Sequence, residues 1–366
     1  MKINSKTLST ALAKVAVICP THSPNEALKF VRLMQSSSTM LALYATNQET
    51  AITHLVATDE ASNLNVLVRP DRLSKILQGL DTAVTLDQNG DALIVIVDGL
   101  TTQLEAPPVD TLPDFQNVDS GRPYTVDTKD LRRAIRICQP SVAVGMASMP
   151  ALNGILIQTG DDLHIVSTDS RRMAVVPIPY ERDGEIDGDS QEVLPIDSAK
   201  LLANALTDDG EAQIAFWLQG GVSVSTETTT IHTRTIAGRF PKWETIIDAI
   251  PAVSQLTIPV EPLLSSVQRV AVTTSIERQS IDVAFNGAGI DLHTRATDVG
   301  NTNCHVNAPA PGFELSLTLN AQYFADALRA LGKDSEVAVS YTDEDSPLCL
   351  SLDDGTQYVV MPLTTE

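Results

Sequence analysis

Three short turns in this chain read alike: ATN at 45–47, STD at 167–169 and ATD at 296–298. Thr46 and Thr168 stand 122 residues apart, and Thr168 and Thr297 stand 129 apart. Two amphipathic segments keep the same order and nearly the same period. One reads LSTALAKV at 8–15, LRRAIRIC at 131–138 and LLSSVQRV at 263–270. The other reads RLSKILQGL at 72–80, AKLLANAL at 199–206 and YFADALRAL at 323–331. The copies close on LPDF (112–115), GRFPKW (238–243) and VVMPL (359–363). Landmarks that hold one order and one spacing three times define a repeat, and a repeat constrains the architecture before any single element is read.

Between the amphipathic segments the pattern is that of strands. DALIVIVDG (91–99) follows Asn89-Gly90, a pair suited to a type I′ hairpin because that turn needs positive φ twice. GVSVSTETTTIHTRT (221–235) alternates and is β-branched, and NGILIQTGDDLHIVST (153–168) holds two short strands around a Gly-Asp turn. Each copy is expected to be an α+β module of two helices and about eight strands, with modules at 1–119, 120–251 and 252–366. A chain of 366 residues is long enough for two or three such cores. Apolar residues make up 43% of it and aromatics only 4%, so aliphatic side chains must do most of the packing.

A net charge of −21 would ordinarily argue against a nucleic-acid partner, but only if the charge were evenly spread. Acids crowd turn-like segments: ERDGEIDGDSQE (181–192), DDGE (208–211), DED (343–345) and DDG (353–355). Bases lie in the helical segments. In DTKDLRRAIRICQP (127–140), Lys129, Arg132, Arg133 and Arg136 follow the spacing of one helix face. Leu131, Ile135 and Cys138 form the opposite face, Asp127 suits an N-cap and Pro140 a stop. The other helices contribute Lys6, Lys14, Arg72, Lys75, Lys200, Arg269 and Arg329, with Lys333 just beyond the last. If the copies turn these helices toward a common axis, the bases meet phosphates without reading bases of the duplex, and salt weakens the contact.

Catalysis finds no support in the sequence. GxxxxGK[ST], HExxH and GxSxG are all missing, the six histidines are dispersed, and no cofactor motif is present. Cys19, Cys138, Cys304 and Cys349 are scattered without ligand spacing, so free and mostly buried thiols are expected rather than a metal site. Asp183, Glu185, Asp187 and Gly188 begin like a calcium loop, but Leu194 stands where the bidentate glutamate belongs; a solvated acidic loop is expected. No apolar run is long enough for a membrane span, and MKINSKTLSTALAKV lacks the core of a secretory signal, which points to a cytoplasmic protein with no membrane partner.

Particular residues now carry a resemblance. Thr168-Asp169-Ser170-Arg171-Arg172-Met173-Ala174 matches a TDgxR(L/M)A turn, Gly238-Arg239-Phe240-Pro241 a GRFP closure, Tyr358 to Pro362 a YVVMP tail, and LNG stands at 152–154. Together these motifs resemble the beta subunit family of bacterial replicative DNA polymerase III, the sliding clamps, and through the repeat the likeness covers the whole chain. It implies three clamp modules forming half of a closed ring, completed by a second copy head to tail. The ring would hold double-stranded DNA without sequence preference and would perform no catalysis. It also implies a pocket for linear peptides of the replicative polymerase and the clamp loader. Carried over by position, that pocket comprises Leu152, Thr168, Ser170, Arg171, Arg172, Met173, Pro241, Ile246, Val359, Val360, Met361, Pro362 and Leu363. Arg172 is expected to pair with an acid and Asp169 to cap its own turn. The joint between copies would use Thr102 and Leu104 against Val272 and Thr273.

Departures from the family pattern are local. Ser170 and Arg171 replace a glycine and a histidine, and Thr245 stands where arginine is common. CPTHSPNEALKF (19–30) replaces an arginine-containing loop, with His22 at the place of its DNA-contacting arginine, and Thr364-Thr365-Glu366 extends the tail. These changes, with the strong negative charge, leave a second expectation: a clamp-like scaffold that binds peptides without encircling DNA.

Overall fold

A computed structural model describes residues 1–115, 121–182, 190–206, 209–250, 256–275, 279–294, 299–309, 314–341, 343 and 346–363. The third turn at 296–298, most of the acidic loop (183–189), the tail at 364–366 and the expected module boundaries lie outside them.

Within the described residues the repeat is explicit. Each third of the chain runs strand, helix, four strands, helix, three strands. The helices of the first third are α1 (Ser5–Ala16) and α2 (Pro70–Leu77), and those of the second are α3 (Thr128–Cys138) and α4 (Ile196–Ala205). A short α5 (Glu244–Asp248) precedes the third copy, which holds α6 (Val260–Ala271) and α7 (Ala321–Leu331). Apart from α5, each helix is entered almost directly from a strand, so its start needs a local cap. Asn4 accepts hydrogen bonds from the Lys6 and Thr7 amides, Asp127 from Lys129 at 2.7 Å, and Asn320 from Tyr323. Pro70 opens α2, where its missing N–H costs nothing. Such caps are each worth about 1 kcal/mol.

Two compact units emerge. One is built mainly from Met1–Arg132 and Asp197–Thr235, the other mainly from Arg133–Pro179 and Ile236–Glu366, so the middle third of the chain supplies strands to both. Each unit holds one eight-stranded and one four-stranded antiparallel sheet. In the first unit the long sheet is joined where Thr50–Ala57 pairs with Thr229–Arg234, with Thr50 opposite Thr233. In the second it is joined where Arg172–Ile178 pairs with Gln357–Val360, with Arg172 opposite Val360. In repeat terms both joints use the same two strands: the strand after the repeated turn in one copy, and the final strand of the next copy.

That rule leaves two strands over. Leu100–Glu105, the final strand of the first copy, ends the four-stranded sheet of the first unit. Asn303–Val306, which follows the turn in the third copy, ends the four-stranded sheet of the second.

Helices cover the sheets through aliphatic faces. Leu8, Leu12 and Val15 of α1, Leu131 and Cys138 of α3, Leu263 and Val267 of α6, and Phe324 and Leu328 of α7 are fully buried. Burial of each such side chain contributes roughly 1.5–3 kcal/mol. Gly154 of the LNG stretch explains itself: a Cβ there would lie 2.2 Å from the Leu194 carbonyl oxygen of the neighbouring strand.

Candidate functional site

The turn singled out in the sequence lies in the second unit, between strands Leu163–Thr168 and Arg172–Ile178. Its geometry follows from four side-chain bonds. Thr168 Oγ1 donates to the Arg172 carbonyl at 2.8 Å and accepts from the Ser170 amide at 3.0 Å. Asp169 Oδ1 accepts from the Arg171 and Arg172 amides at 2.9 and 3.0 Å. Ser170 is thereby held at φ +69°, a left-handed conformation that glycine adopts freely and serine does not.

The same device recurs in the first unit. Thr46 Oγ1 donates to the Thr50 carbonyl at 2.8 Å and accepts from Gln48 N at 3.0 Å. Asn47 Oδ1 accepts from the Glu49 and Thr50 amides at 3.0 and 2.8 Å, and Gln48 takes φ +78°. The likeness of ATN to STD is therefore atomic.

Arg172 is spent within the fold. Nε lies 3.0 Å from Asp169 Oδ2, Nη1 lies 2.9 Å from Asp326 Oδ2 on α7, and the guanidinium carbon sits 4.3 Å over the Tyr323 ring. Burial works against the cation, but the surrounding acidic groups, Asp326 and Asp169 among them, more than offset it and hold Arg172 firmly charged. Burial pushes the nearby Tyr358 hydroxyl well above the usual phenol range. Arg172 thus ties the turn to α7, and Arg171 is left exposed at the surface.

Beside the turn lies an apolar cluster. Leu152, Met173 and Val359 share one buried cluster with Phe240 and Trp243. Val360 is buried, Met361 N donates to the Arg171 carbonyl at 2.9 Å, and Leu363 N donates to Thr318 at 2.7 Å. GRFPKW is fixed from below, since Trp243 Nε1 donates to Gln158 Oε1 at 3.0 Å while Gln158 donates to Glu244 at 2.9 Å. The rim is open and apolar: Ile246 and Met361 are each 39% exposed, with Pro241, Pro362 and Leu363 half-buried. The side chains expected at the pocket therefore lie in one unit, with Leu152, Met173, Val359 and Val360 buried and Ile246 and Met361 exposed. Phe240, Trp243 and the half-buried Ile247 and Ile250, which pack on the same cluster, were not expected there, although GRFPKW marked the segment.

The basic side chains named for DNA are exposed or half-buried, as solvent-facing helix positions should be. Their bias is uneven. Bases outnumber acids on α1, α2 and α3, whereas α4, α6 and α7 carry one of each. Several cations are already paired: Arg133 with Asp354 at 2.7 Å, Arg329 with Asp326 at 2.6 Å, Arg72 with Asp71 and Lys200 with Asp197 at 3.7 Å. At the free strand edges, Thr102 and Leu104 are half-buried on one. Beside the other, Val272 is 75% exposed and Thr273 Oγ1 lies 2.9 Å from Thr302 Oγ1.

The four thiols form no disulfide, and burial pushes the pKa of Cys19, Cys138 and Cys349 up to about 12. Among the described residues no group of His, Cys, Asp or Glu could hold a metal, and no helix is long and apolar enough to cross a membrane.

A thrice-repeated α+β chain whose post-turn strand pairs with the last strand of the next copy has the architecture of the clamp-module class, and comparison with known proteins agrees on that fold. Residues 125–242 match the model of the DNA polymerase III beta subunit central domain, and 249–364 match that of its C-terminal domain. The Chlamydia muridarum beta sliding clamp is 24% identical over 99% of this chain and 98% of its own length. The DNA polymerase III beta subunit of Pseudomonas aeruginosa superposes with a TM-score of 0.89 at 21% identity over 100% of both chains. The polymerase beta subunit of Streptococcus pyogenes gives 0.89 at 19% over 100% of this chain and 99% of its own. The chain belongs to the DNA polymerase III beta-subunit family, a family of non-catalytic replication proteins.

Proposed function

We propose that this protein is a processivity clamp that closes head to tail with a second copy, encircles duplex DNA and tethers polymerase and clamp loader through the Ser170–Met361 groove. The observation that carries the reading is the pair of leftover edges. Within each chain, a post-turn strand twice pairs with the final strand of the following copy; Asn303–Val306 and Leu100–Glu105 are the same two kinds of strand without such a partner among the described residues. Pairing them between two chains repeats the joint already used and joins two different surfaces, which suits a closing head-to-tail dimer.

Register follows from the ladders. His293 pairs with Asn303 next to the turn as Thr168 pairs with Met173, so by ladder position, rather than by the spacing of the ATD triplet, Thr302 takes the place of Arg172 and would face Leu104 of the second copy. Cys304 then faces Thr102, and His305 faces Thr101. Burial alternates in step: Cys304, Thr102 and Leu104 are half-buried, while Asn303, His305, Thr101 and Gln103 are exposed. Val272 and Thr273 lie beside this edge and complete the joint.

The modules are read as 1–119, 120–251 and 252–366. Lys6, Lys14, Arg72, Lys75, Lys129, Arg132, Arg133, Arg136, Lys200, Arg269, Arg329 and Lys333 supply diffuse phosphate contacts, most densely from α1 to α3. Acidic loops discourage adhesion elsewhere, so holding DNA depends on topology more than on affinity. The groove takes a leucine or phenylalanine of a partner peptide against Met173, Val359 and Trp243. Such a protein works in the cytoplasm beside the replication machinery.

The test is retention after loading on nicked circular plasmid. A clamp stays on the circle and is released on linearisation; retention on the linear product would refute encirclement. Light scattering separates the scaffold alternative, which predicts a monomer at micromolar concentration.

A further inference from the structure

In the first unit, α1 and α4 flank a cleft of about 510 Å³, within the range of small-ligand sites. Four polar side chains face it: Ser9, Thr10, Lys14 and Asn204. Its remaining wall is apolar, from Ala13, Val17, Leu201 and Ala205. No acid lines it, in a chain where Asp and Glu total 46 against 25 Lys and Arg. Among the described residues, none of the four polar side chains has a hydrogen-bond or ion-pair partner in the protein.

The repeat shows why the space exists. Ser9, Thr10 and Ala13 occupy the positions that Arg132, Arg133 and Arg136 hold on α3. The first copy has small side chains where the second has long cations, and keeps one lysine at the margin.

We propose that this cleft binds a nucleotide-like organic phosphate. Lys14 and the Thr10 and Ser9 hydroxyls hold the phosphate, a flat ring system lies on Ala13, Val17 and Leu201, and the Asn204 amide meets its polar edge. The ligand is either a free nucleotide or one nucleotide of a DNA strand; only the second source rests on the clamp reading.

The probe is thymidine 5′-monophosphate, titrated calorimetrically into the full chain without DNA. Saturable binding is expected, at least about ten-fold tighter than thymidine or inorganic phosphate alone. Lys14→Ala should weaken it about ten-fold. Ala13→Leu, at an exposed position, should fill the cleft and abolish binding, with unchanged thermal unfolding showing that both variants fold. No saturation below roughly 10 mM, or equal binding by wild type and both variants, overturns the proposal. Displacement by a short duplex identifies the strand as the source, and persistence identifies the free nucleotide. Failure of the clamp reading would appear in plasmid retention and leave this titration unchanged.

Discussion

Replacing Arg172 by methionine isolates the tie between the turn and α7. The stem's packing is largely kept, while two charge-assisted bonds and the contact over Tyr323 are lost. Both carboxylates are well shielded, at 14% and 16% side-chain exposure, so losing the cation leaves them poorly solvated. Removing one partner from a buried pair costs about 3–5 kcal/mol. Here each acid keeps other partners: Asp169 two backbone amides, Asp326 Arg329 at 2.6 Å and Gln322 at 2.8 Å. The lower end, about 3 kcal/mol, is therefore expected. The chain has two tryptophans, and only Trp243 lies in this unit, so denaturant unfolding followed in a Trp217→Phe background reports on it directly. Adding Asp326→Leu removes the stranded charge and should recover most of the loss. A cost under about 1 kcal/mol, or no recovery in the double variant, would refute the account of Arg172 as a structural tie.

Ser170→Gly relieves the left-handed backbone and should stabilise the second unit by up to about 1 kcal/mol, offset partly by the freer unfolded chain; denaturation midpoints decide the sign. Thr102→Cys should form a disulfide with Cys304 of a second copy on mild oxidation, because opposed strand residues lie about 5 Å apart; a dimer band on a non-reducing gel is expected, and its absence argues against the register. Met361→Asp places a charge on the groove rim and should weaken a fluorescent peptide bearing adjacent Leu and Phe by roughly ten-fold, without changing unfolding. Burial first, and then Lys14, pushes His54 down to about 4, so between pH 6.5 and about 4 the unfolded chain binds a proton that the folded one refuses. Stability is therefore full above pH 6.5 and falls as pH drops toward 4; His54→Val should flatten that slope, and an unchanged slope would exclude His54 as a source.

Much of this was legible in the sequence because the repeat supplied three readings of each element. Asp127 as a cap, Leu131 and Cys138 as the buried face of α3, and the module content of two helices and eight strands follow from periodicity and turn chemistry. The pairing of Asp169 with its own turn was readable from local side-chain chemistry. The apolar cluster beside the turn was legible through motifs, but Trp243 as part of it was not, since its hydrogen-bond partner is Gln158, more than 80 residues earlier. Long-range partners are invisible to local patterning: nothing near Arg172 announces Asp326. The thirds of the sequence also do not match the two compact units, because hydrogen bonding between copies outweighs adjacency along the chain. Summing cations helix by helix overstated the basic face, as α4, α6 and α7 each answer their base with an acid.

The proposed groove draws on distant parts of the polypeptide. Met173 and Val359 are strand neighbours although just over half of the 366 residues separate them along the chain. A ribosome that has delivered the turn has delivered only an incomplete half-site; its second wall waits until residue 360 has emerged. Recruitment of a partner through this surface, as proposed above, would thereby be postponed until residue 360 has been made, and a product truncated before it would lack that wall.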